Sequence, residues 1–452
     1  MACNSMATLL RKGDKVNQYP SWPTVELPKI SDKFKFPHLE LALTYGSNEV
    51  LSQEVISLYV CGITPYDATH LGHAATYLTY DLINRYLQAS GREVLFAENI
   101  TDIDDPLLER AIRDNVKWED LADSQIDLFR SDMSALHILP PNHYVPVTHV
   151  INQIALDVKK LVDKGVTYSI DGDIYLEVTP YLELLTPFTG LSYEEALKIF
   201  SERGGDPSRA GKKEALDPLL WRAHRDGEPF WESPVGRGRP GWHIECTSIA
   251  LSTISLNGKG SGDASHLGHE ISLQGGGSDL IFPHHFMSEV QSLALTGKSF
   301  SGAYSHAGMI GLDGEKMSKS KGNLVFVSRL LQEGVDPMAI RWALLDHHYR
   351  ADLMWSNSLL ENAAKNLHVV RDALSRPGIH TSETSVEVLI NRVIKLLSQD
   401  LNTAGALSEI VNWSEHHIEV SDDQTLAPSS DLRHDGVGEI SRAMDLLLGL
   451  AL

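Results

Sequence analysis

The chain has 452 residues, a hydrophobic fraction of 42%, a charged fraction of 22% and a formal net charge of −21 at pH 7. This length exceeds the size at which a single hydrophobic core stops growing, so we expect two or three packed units. An acidic balance of this size disfavours a large polyanionic partner, because nucleic-acid binding draws its affinity from Lys and Arg. No apolar run reaches the roughly 18 residues that a membrane-spanning helix needs.

The N-terminus and the cysteines bear on the cellular compartment. The first residues lack the apolar core of a secretory signal peptide, so we expect a cytoplasmic protein. The three cysteines, Cys3, Cys61 and Cys246, are too few and too scattered for a disulfide framework. In a reducing compartment such thiols are typically metal ligands or buried core residues.

The first part of the chain has the pattern of a nucleotide-binding unit. Residues 1–44 are rich in Pro and polar residues, and we interpret them as an N-terminal extension without a catalytic role. An apolar run at 55–61, a turn and a helical pattern from His70 predict a strand, a turn and a helix. A second apolar run at 93–97 completes a β-α-β unit, which binds nucleotides at the carboxyl ends of its strands.

The domain limits follow from changes in pattern. We predict the first half of the catalytic domain at 45–135 and a connective insertion at 136–235, in which two apolar runs flank the hairpin signal Asp171-Gly172. The second half of the catalytic domain is predicted at 236–350 and a helical bundle at 351–452. The glycine-rich run at 257–267 fits no phosphate-binding spacing and is typical of a surface loop.

Two short motifs occur in a definite order. His70-Leu-Gly-His73 begins the helix after the first strand, where free N–H groups and a partial positive charge favour phosphates. Lys316-Met-Ser-Lys319-Ser lies among glycines late in the chain, and two lysines on such a mobile loop can offset the charge of a triphosphate. Each motif alone is also compatible with an ordinary helix start or a solvated loop.

Together and in this order, the two motifs resemble the signatures of class I aminoacyl-tRNA synthetases. The resemblance implies an α/β fold: a Rossmann-like catalytic domain with a parallel sheet, an inserted connective subdomain and a C-terminal helical bundle. It also implies that His70 and His73 stabilise the transition state of adenylate formation, while Lys316 and Lys319 bind the pyrophosphate moiety. ATP with Mg²⁺ on its phosphates would be a substrate.

Three dispersed residues resemble the zinc ligands of the cysteine-activating members of this class. Cys61 ends the first predicted strand, Cys246 ends the run Trp-His-Ile-Glu-Cys, and His284 opens a His-His pair. Their spacing alone predicts no metal site, but the resemblance implies one bound Zn²⁺ per chain. Three protein ligands of a tetrahedral ion leave one position for a substrate thiolate, which would discriminate against serine. Cys3 is expected to be no ligand.

The same resemblance implies which residues lie along a cysteinyl adenylate. Thr64 and Trp242 are expected near the cysteine moiety, together with Cys61. The residues expected to line the adenylate are Thr76, Asn99, Thr101, Gly277, Ser278, Asp279 and Ile310. Asp279 is expected to accept hydrogen bonds from the ribose hydroxyls. Ordinary packing or helix capping is the alternative for each of these residues.

Two groups of enzymes share these features: the cysteinyl-tRNA synthetases and the cysteine:glucosaminyl-inositol ligases of mycothiol biosynthesis. Ser288 stands where the tRNA enzymes carry a glutamate in the zinc shell, and Ser201–Pro207 resembles a signature of the ligases. The likeness spans residues 45–450. Residues 321–452 hold 11 Lys and Arg against 18 Asp and Glu, which offers no basic surface for an anticodon stem.

We therefore predict an ATP-dependent, AMP-forming ligase that joins L-cysteine to the amine of glucosaminyl-inositol. It is expected to act on these small molecules as a monomer, without nucleic acid or membrane. Cysteinyl-tRNA synthetase is the alternative function. A non-catalytic sensor on the same scaffold is a third possibility, but it would be marked by loss of the motif histidines or lysines, and none is lost.

Overall fold

The structure is a computed structural model that describes residues 19–67, 69–256, 268–312, 315–316, 323–376, 383–422 and 436–452. The expectations for the run at 257–267, for Lys319 and for Cys3 lie outside these residues, as does the side chain of Lys316. None of the helices in the described part of the chain combines the length and the hydropathy that a membrane span requires.

Thirteen strands in the described ranges form three sheets. In chain order they are β1 (Tyr45–Gly46), β2 (Val55–Ile63), β3 (Glu93–Ile100), β4 (His143–Pro146), β5 (Thr167–Ile170), β6 (Asp173–Leu176), β7 (Leu219–Ala223), β8 (Gly238–Pro240), β9 (His269–Gly277), β10 (Ser299–Ala307), β11 (Ile310–Leu312), β12 (Glu315–Lys316) and β13 (Leu353–Trp355). The central sheet has the order β1-β10-β9-β2-β3-β4, and all its pairs are parallel except β1 with β10.

Helices cover both faces of the central sheet. In chain order the α-helices are α1 (Leu71–Ala89), α2 (Asp105–Asp114), α3 (Trp118–Ala135), α4 (Val147–Asp163), α5 (Leu185–Thr189), α6 (Tyr193–Glu202), α7 (Trp242–Thr253), α8 (Phe286–Thr296), α9 (Val327–Gln332), α10 (Pro337–Leu345), α11 (Asn357–Ser375), α12 (Glu383–Ser398), α13 (Thr403–Asp422) and α14 (Val437–Leu448). One hydrophobic core includes α1 and the C-terminal helices, and a second includes α4, α7 and α8. Strands β2 and β9 are buried along most of their length, as expected for a parallel sheet between helical layers.

The predicted β-α-β unit is confirmed by β2, α1 and β3, in which the two strands pair in parallel. His70 is the N-cap of α1, and its Nδ1 atom accepts a hydrogen bond from the Gly72 N–H at 3.1 Å. Because β2, β3, β9 and β10 run in parallel, their carboxyl ends lie at one edge of the sheet. Ligands of open α/β sheets bind at this edge.

The predicted hairpin at Asp171-Gly172 is also confirmed. Strands β5 and β6 are antiparallel, and φ is 51° at Asp171 and 89° at Gly172, as the tight turns of two-residue hairpins require. With β7 and β8 they form a four-stranded sheet of the order β5-β6-β7-β8. Strand β4, within the predicted insertion, pairs with β3 in the central sheet, and β8 lies just beyond the predicted end of the insertion. The domain limits remain predictions.

The C-terminal region is helical, as predicted, and a buried ion network joins it to α1. The Asp81 carboxylate accepts hydrogen bonds from Arg85 Nε at 2.9 Å and from Arg341 Nη2, and all three side chains are fully buried. Arg341 Nε also donates to the carbonyl oxygen of Leu448 at 2.6 Å. Although burial opposes ionisation of Asp81, the two guanidiniums outweigh it and hold the pKa of this carboxyl below its usual value.

Candidate active site

Three buried side chains converge near the carboxyl edge of the central sheet. Cys61 lies near the end of β2, Cys246 lies in α7, and His284 lies in the turn before α8. One ligand atom from each residue lies within 4.8 Å of the other two. We call these residues the Cys2His group. The three expected metal ligands are therefore brought together, although 184 residues of chain lie between Cys61 and Cys246.

The chemistry of the Cys2His group fits zinc. Two thiols and one imidazole are the soft N/S donor set that zinc selects, and the group contains no carboxylate among the described residues. Burial raises the pKa of the Cys246 thiol well above its usual value, and the neighbouring Cys61 adds to this effect. Two adjacent buried thiols are unfavourable as thiolates unless a cation neutralises them.

A further layer of side chains orients His284. The Nδ1 atom of His284 lies 3.0 Å from Nδ1 of His243. The Trp242 indole stacks on the His284 ring, with centroids 4.5 Å apart and planes at 24°. Burial, reinforced by His284, lowers the pKa of His243 well below its usual range, so His243 is a neutral imidazole. Such outer partners fix the orientation and tautomer of metal-binding histidines.

Cys61 has its own chain of hydrogen-bonded partners. Its Sγ lies 3.3 Å from Nε2 of His285, and Nδ1 of His285 lies 2.7 Å from Nε2 of His306. His306 Nδ1 in turn lies 2.7 Å from Oγ1 of Thr44. Burial lowers the pKa of His306 to about 3, so this imidazole is neutral. No role was predicted for His243 and His285, whose only signal in the sequence was their place beside Trp242 and His284.

Ser288 lies one helical turn after His284 and is fully buried. Its hydroxyl donates a hydrogen bond to the carbonyl oxygen of His284 at 3.2 Å. The hydroxyl is therefore used within α8 and does not join the Cys2His group. This geometry agrees with a metal site that has three protein ligands.

A cavity of about 520 Å³, called here the adenylate cavity, opens beside the Cys2His group. Its walls contain the expected residues Cys61, Thr64, His70, Gly72, His73, Thr76, Trp242, Gly277 and Asp279. The rings of His70 and His73 stack with centroids 3.8 Å apart at the N-terminus of α1. A phosphate at this place would meet both imidazoles and the partial positive charge at the N-terminus of α1.

Two glycines permit the close packing around this cavity. A Cβ atom at Gly72 would lie 2.9 Å from the His70 imidazole, and one at Gly62 would lie 1.6 Å from the carbonyl oxygen of Asn99. Thr76 Oγ1 donates to the Gly72 carbonyl oxygen at 3.1 Å. A larger residue at Gly72 would therefore displace the His70 ring from the cavity wall, and one at Gly62 would push β2 away from β3.

Four of the expected adenylate residues are not in the walls of this cavity: Asn99, Thr101, Ser278 and Ile310. Asn99 is buried, accepts from the Gly62 N–H at 2.8 Å and donates to Thr101 Oγ1 at 3.0 Å. It thereby fixes the end of β2 beneath the cavity. Ile310 is buried at the start of β11. Direct contact of these four residues with an adenylate stays a prediction.

The lysine motif lies in sequence between residues that line the adenylate cavity. The backbone of Lys316 pairs with Gly311 in the β11–β12 hairpin. Gly308, Met309 and Leu324, which flank the motif in sequence, line the adenylate cavity. The roles of Lys316 and Lys319 remain predictions.

A second cavity of about 800 Å³, called here the outer cavity, adjoins the first. Thr64, Tyr66 and Trp242 line both cavities. The other walls come from the start of α2, from the four-stranded sheet and from the Ser201–Pro207 segment. Because these segments are far apart in the chain, this cavity could not be predicted from the sequence.

Arg203 in the Ser201–Pro207 segment connects the two parts of the site. Its guanidinium donates hydrogen bonds to the carbonyl oxygens of Asp279 and Phe282. Asp279 lines the adenylate cavity, and Phe282 lies two residues before His284. The segment that resembles a ligase signature thus holds the backbone that carries two expected site residues.

Comparison with known proteins defines the class of this chain. Residues 47–365 match the family of tRNA synthetases class I (C) catalytic domains. Solved structures with a similar fold include Mycobacterium tuberculosis methionyl-tRNA synthetase in complex with methionyl-adenylate, with a TM-score of 0.61, 17% identity and coverage of 88% of this chain and 90% of that one. The ternary LeuRS-tRNA-LeuAMS complex of Agrobacterium radiobacter gives a TM-score of 0.62 and 14% identity, with coverage of 88% and 84%. The fold and the site thus define a class I synthetase catalytic domain.

Relatives with higher sequence identity define a narrower group within this class. The L-cysteine:1D-myo-inositol 2-amino-2-deoxy-alpha-D-glucopyranoside ligase of Streptomyces coelicolor is 46% identical, over 96% of this chain and 100% of its own. The enzyme of the same name from Gordonia bronchialis is 45% identical, over 96% and 99%. The chain therefore belongs to the class I (C) synthetase family, in the branch formed by these ligases.

Proposed function

We propose that this chain ligates L-cysteine to the amine of 1D-myo-inositol 2-amino-2-deoxy-α-D-glucopyranoside, here glucosaminyl-inositol, through a cysteinyl adenylate. A carboxylate oxygen of cysteine attacks the α-phosphorus of ATP, and pyrophosphate leaves. The amine nitrogen then forms a C–N bond with the activated carbonyl carbon. The C–O bond to the phosphate breaks, AMP leaves with its electron pair, and the amine proton passes to solvent.

One observation carries this proposal: Cys61 belongs to the Cys2His group and also lines the adenylate cavity that begins at His70 and His73. Cys61, Cys246 and His284 would hold a zinc ion, which would supply a soft Lewis acid for the thiol of the substrate. The amino acid selected at such a place carries a thiolate rather than a hydroxyl. Thr64 and Trp242 would complete the cysteine pocket.

The residues of the adenylate cavity suit the first step. His70 and His73 would donate hydrogen bonds to the α-phosphate as negative charge develops, supported by the N-terminus of α1. Lys316 and Lys319 would bind the pyrophosphate, with Mg²⁺ bound by ATP. Asp279 would accept from the ribose hydroxyls, and Thr76 and Gly277 would lie along the nucleotide.

The relatives and Ser288 support an aminosugar as the acceptor. The ligases of Streptomyces coelicolor and Gordonia bronchialis, whose names specify cysteine and this aminosugar, align with nearly the whole chain. The buried Ser288 hydroxyl leaves the Cys2His group without the glutamate that the tRNA enzymes carry. A tRNA acceptor is the alternative.

Two assays with purified protein test the proposal. Exchange of labelled pyrophosphate into ATP should depend on cysteine, and serine should support it at least about 100-fold more slowly. AMP release should rise when glucosaminyl-inositol is added and should not respond to tRNA. Stimulation of AMP release by tRNA alone would refute the aminosugar assignment. Pyrophosphate exchange that does not depend on cysteine would refute the adenylation of cysteine.

A further inference from the structure

We infer that the outer cavity is the binding site of the aminosugar, in which the Asp104 carboxylate pairs with the amine of the acceptor; this inference rests on the proposed ligation. Nothing in the motifs assigns residues to the acceptor. Three features of the outer cavity suit this role: its position, its charge balance and a half-buried carboxylate that forms no ion pair with a described residue.

The position of the outer cavity suits an acceptor. It meets the adenylate cavity at Thr64, Tyr66 and Trp242, and the Trp242 ring stacks on His284 of the Cys2His group. In a cysteinyl adenylate whose thiol lies at Cys61, the carbonyl group would lie between the thiol and the nucleotide, near Thr64 and Trp242 of this shared wall. An amine in the outer cavity therefore has access to the activated carbonyl without displacing AMP.

The charge balance of the outer cavity suits a polyol with a single positive group. Five carboxylates and five guanidiniums line it, so it has no excess of positive charge for a phosphate backbone. Its volume of about 800 Å³ is sufficient for a pseudodisaccharide. Sugar hydroxyls both donate and accept hydrogen bonds, and a wall of mixed carboxylates and guanidiniums offers partners for both.

Most of these charged groups are fixed by one another. Asp173 accepts from Arg225 Nη2 at 2.9 Å and from Arg209 Nη1 at 2.5 Å. Asp105 pairs with Arg239, which is itself buried. These pairs hold their side chains in place before a ligand binds, which reduces the entropic cost of recognition.

Asp104 differs from these paired carboxylates. It is the N-cap of α2, where one carboxylate oxygen accepts from the Asp105 N–H at 2.8 Å, and it forms no ion pair with any described residue. It is half-buried, and burial raises its pKa to about 6, although the Asp105 N–H and the charge of Arg239 act in the opposite direction. A cationic partner would relieve this desolvation. Glu109, the other cavity carboxylate without an ion pair in the described chain, is exposed at the rim.

The variant Asp104→Asn tests the inference with little change of shape. Asn is as effective an N-cap residue as Asp, so α2 should begin at the same residue while the charge at position 104 is lost. We expect the KM for glucosaminyl-inositol to rise at least 10-fold, while cysteine-dependent pyrophosphate exchange stays within twofold of the unaltered protein. Glucosyl-inositol, with a hydroxyl in place of the amine, should inhibit both proteins competitively with the same inhibition constant.

Two further variants complete the test. Asp104→Ser also retains a capping side chain. It should likewise raise the KM for glucosaminyl-inositol and leave cysteine-dependent pyrophosphate exchange unchanged. Asp120→Asn removes an exposed carboxylate of α3 outside the cavity walls and should change none of these values.

Three results would count against the inference. An unchanged acceptor KM in both Asp104 variants would overturn it. Equal weakening of glucosaminyl-inositol and glucosyl-inositol would overturn the pairing of Asp104 with the amine. If glucosaminyl-inositol fails to stimulate AMP release by the unaltered protein, the proposed function is overturned, and the inference with it.

Discussion

The Nδ1 atoms of His243 and His284 lie 3.0 Å apart beside the outer cavity. His284 belongs to the Cys2His group, whereas His243 lines the outer cavity. Because one imidazole must donate to the other, each ring limits the orientation and tautomer of its neighbour. The proposed metal site and the proposed acceptor site are thus joined by one hydrogen bond.

Loss of this hydrogen bond should weaken metal binding. We expect His243→Asn to lower the zinc affinity by about 10- to 100-fold, the usual effect of removing the outer partner of a ligand histidine. Competition with a chromophoric chelator would measure the affinity. His417→Asn, which alters a buried imidazole in the C-terminal helices, should retain the original affinity. The same zinc affinity in both variants would show that His243 does not support the site.

Removal of a proposed ligand should have a larger effect. We expect Cys61→Ser to purify with little zinc and to lose cysteine-dependent pyrophosphate exchange by at least about 100-fold, since structural and catalytic zinc sites depend on each thiolate. Metal analysis by mass spectrometry gives the first value and isotope exchange the second. Cys3→Ser is the matched control and should change neither. A full complement of zinc in Cys61→Ser would remove this residue from the metal site.

Gly72→Ala should impair adenylation without unfolding the protein. The added Cβ would lie 2.9 Å from the His70 imidazole, so this ring must leave its stacked position beside His73. We expect exchange to fall by about 10- to 100-fold, because a catalytic donor is displaced, while the melting temperature changes little. Gly268→Ala, where a Cβ would meet nothing within 4 Å, is the control. Unchanged exchange in Gly72→Ala would argue against a role of His70 in this geometry.

The ion network of Asp81 should dominate the stability of the interface between α1 and the C-terminal helices. Asp81→Asn leaves Arg85 and Arg341 buried without their counter-charge, so we expect a loss of about 3–5 kcal/mol in the free energy of unfolding. Glu333→Gln, which removes an ion pair with Arg329 on the surface, should cost less than about 0.5 kcal/mol. Urea denaturation would compare the two variants.

The effect of Asp81 should also depend on pH. The folded protein holds the pKa of Asp81 below its usual value, so its ionised form stabilises the fold above the unfolded-state pKa of about 3.9. This stabilisation is lost as the pH falls through the folded-state pKa. The difference in stability between the unaltered protein and Asp81→Asn should therefore be constant near neutrality and shrink in acid. A difference that grows in acid would contradict this assignment.

Local patterns in the sequence were sufficient to predict the local structure. The apolar run before Gly62 and the helical spacing after His70 predicted β2 and α1, and Asp171-Gly172 predicted the turn between β5 and β6. These predictions succeeded because strand pairing in a buried parallel sheet and turns with positive φ leave strong local signals.

Features that depend on tertiary packing could not be predicted from local sequence patterns. Cys61, Cys246 and His284 come from separate elements, so only their resemblance to a known family could unite them. His243 and Asp104 were missed because an outer imidazole and a helix N-cap look ordinary in sequence. The outer cavity arises where the four-stranded sheet faces α2, and no single segment of the chain encodes that juxtaposition.

We expect this protein to transfer activated cysteine to the amine of a sugar. The most direct measurement is a single turnover, in which the protein is loaded with ATP and radiolabelled cysteine, freed of excess substrate and mixed with glucosaminyl-inositol or tRNA. We predict that the label moves to glucosaminyl-inositol as an amide that resists mild base. Label that appears only on tRNA, as a base-labile ester, would exclude an aminosugar as the acceptor.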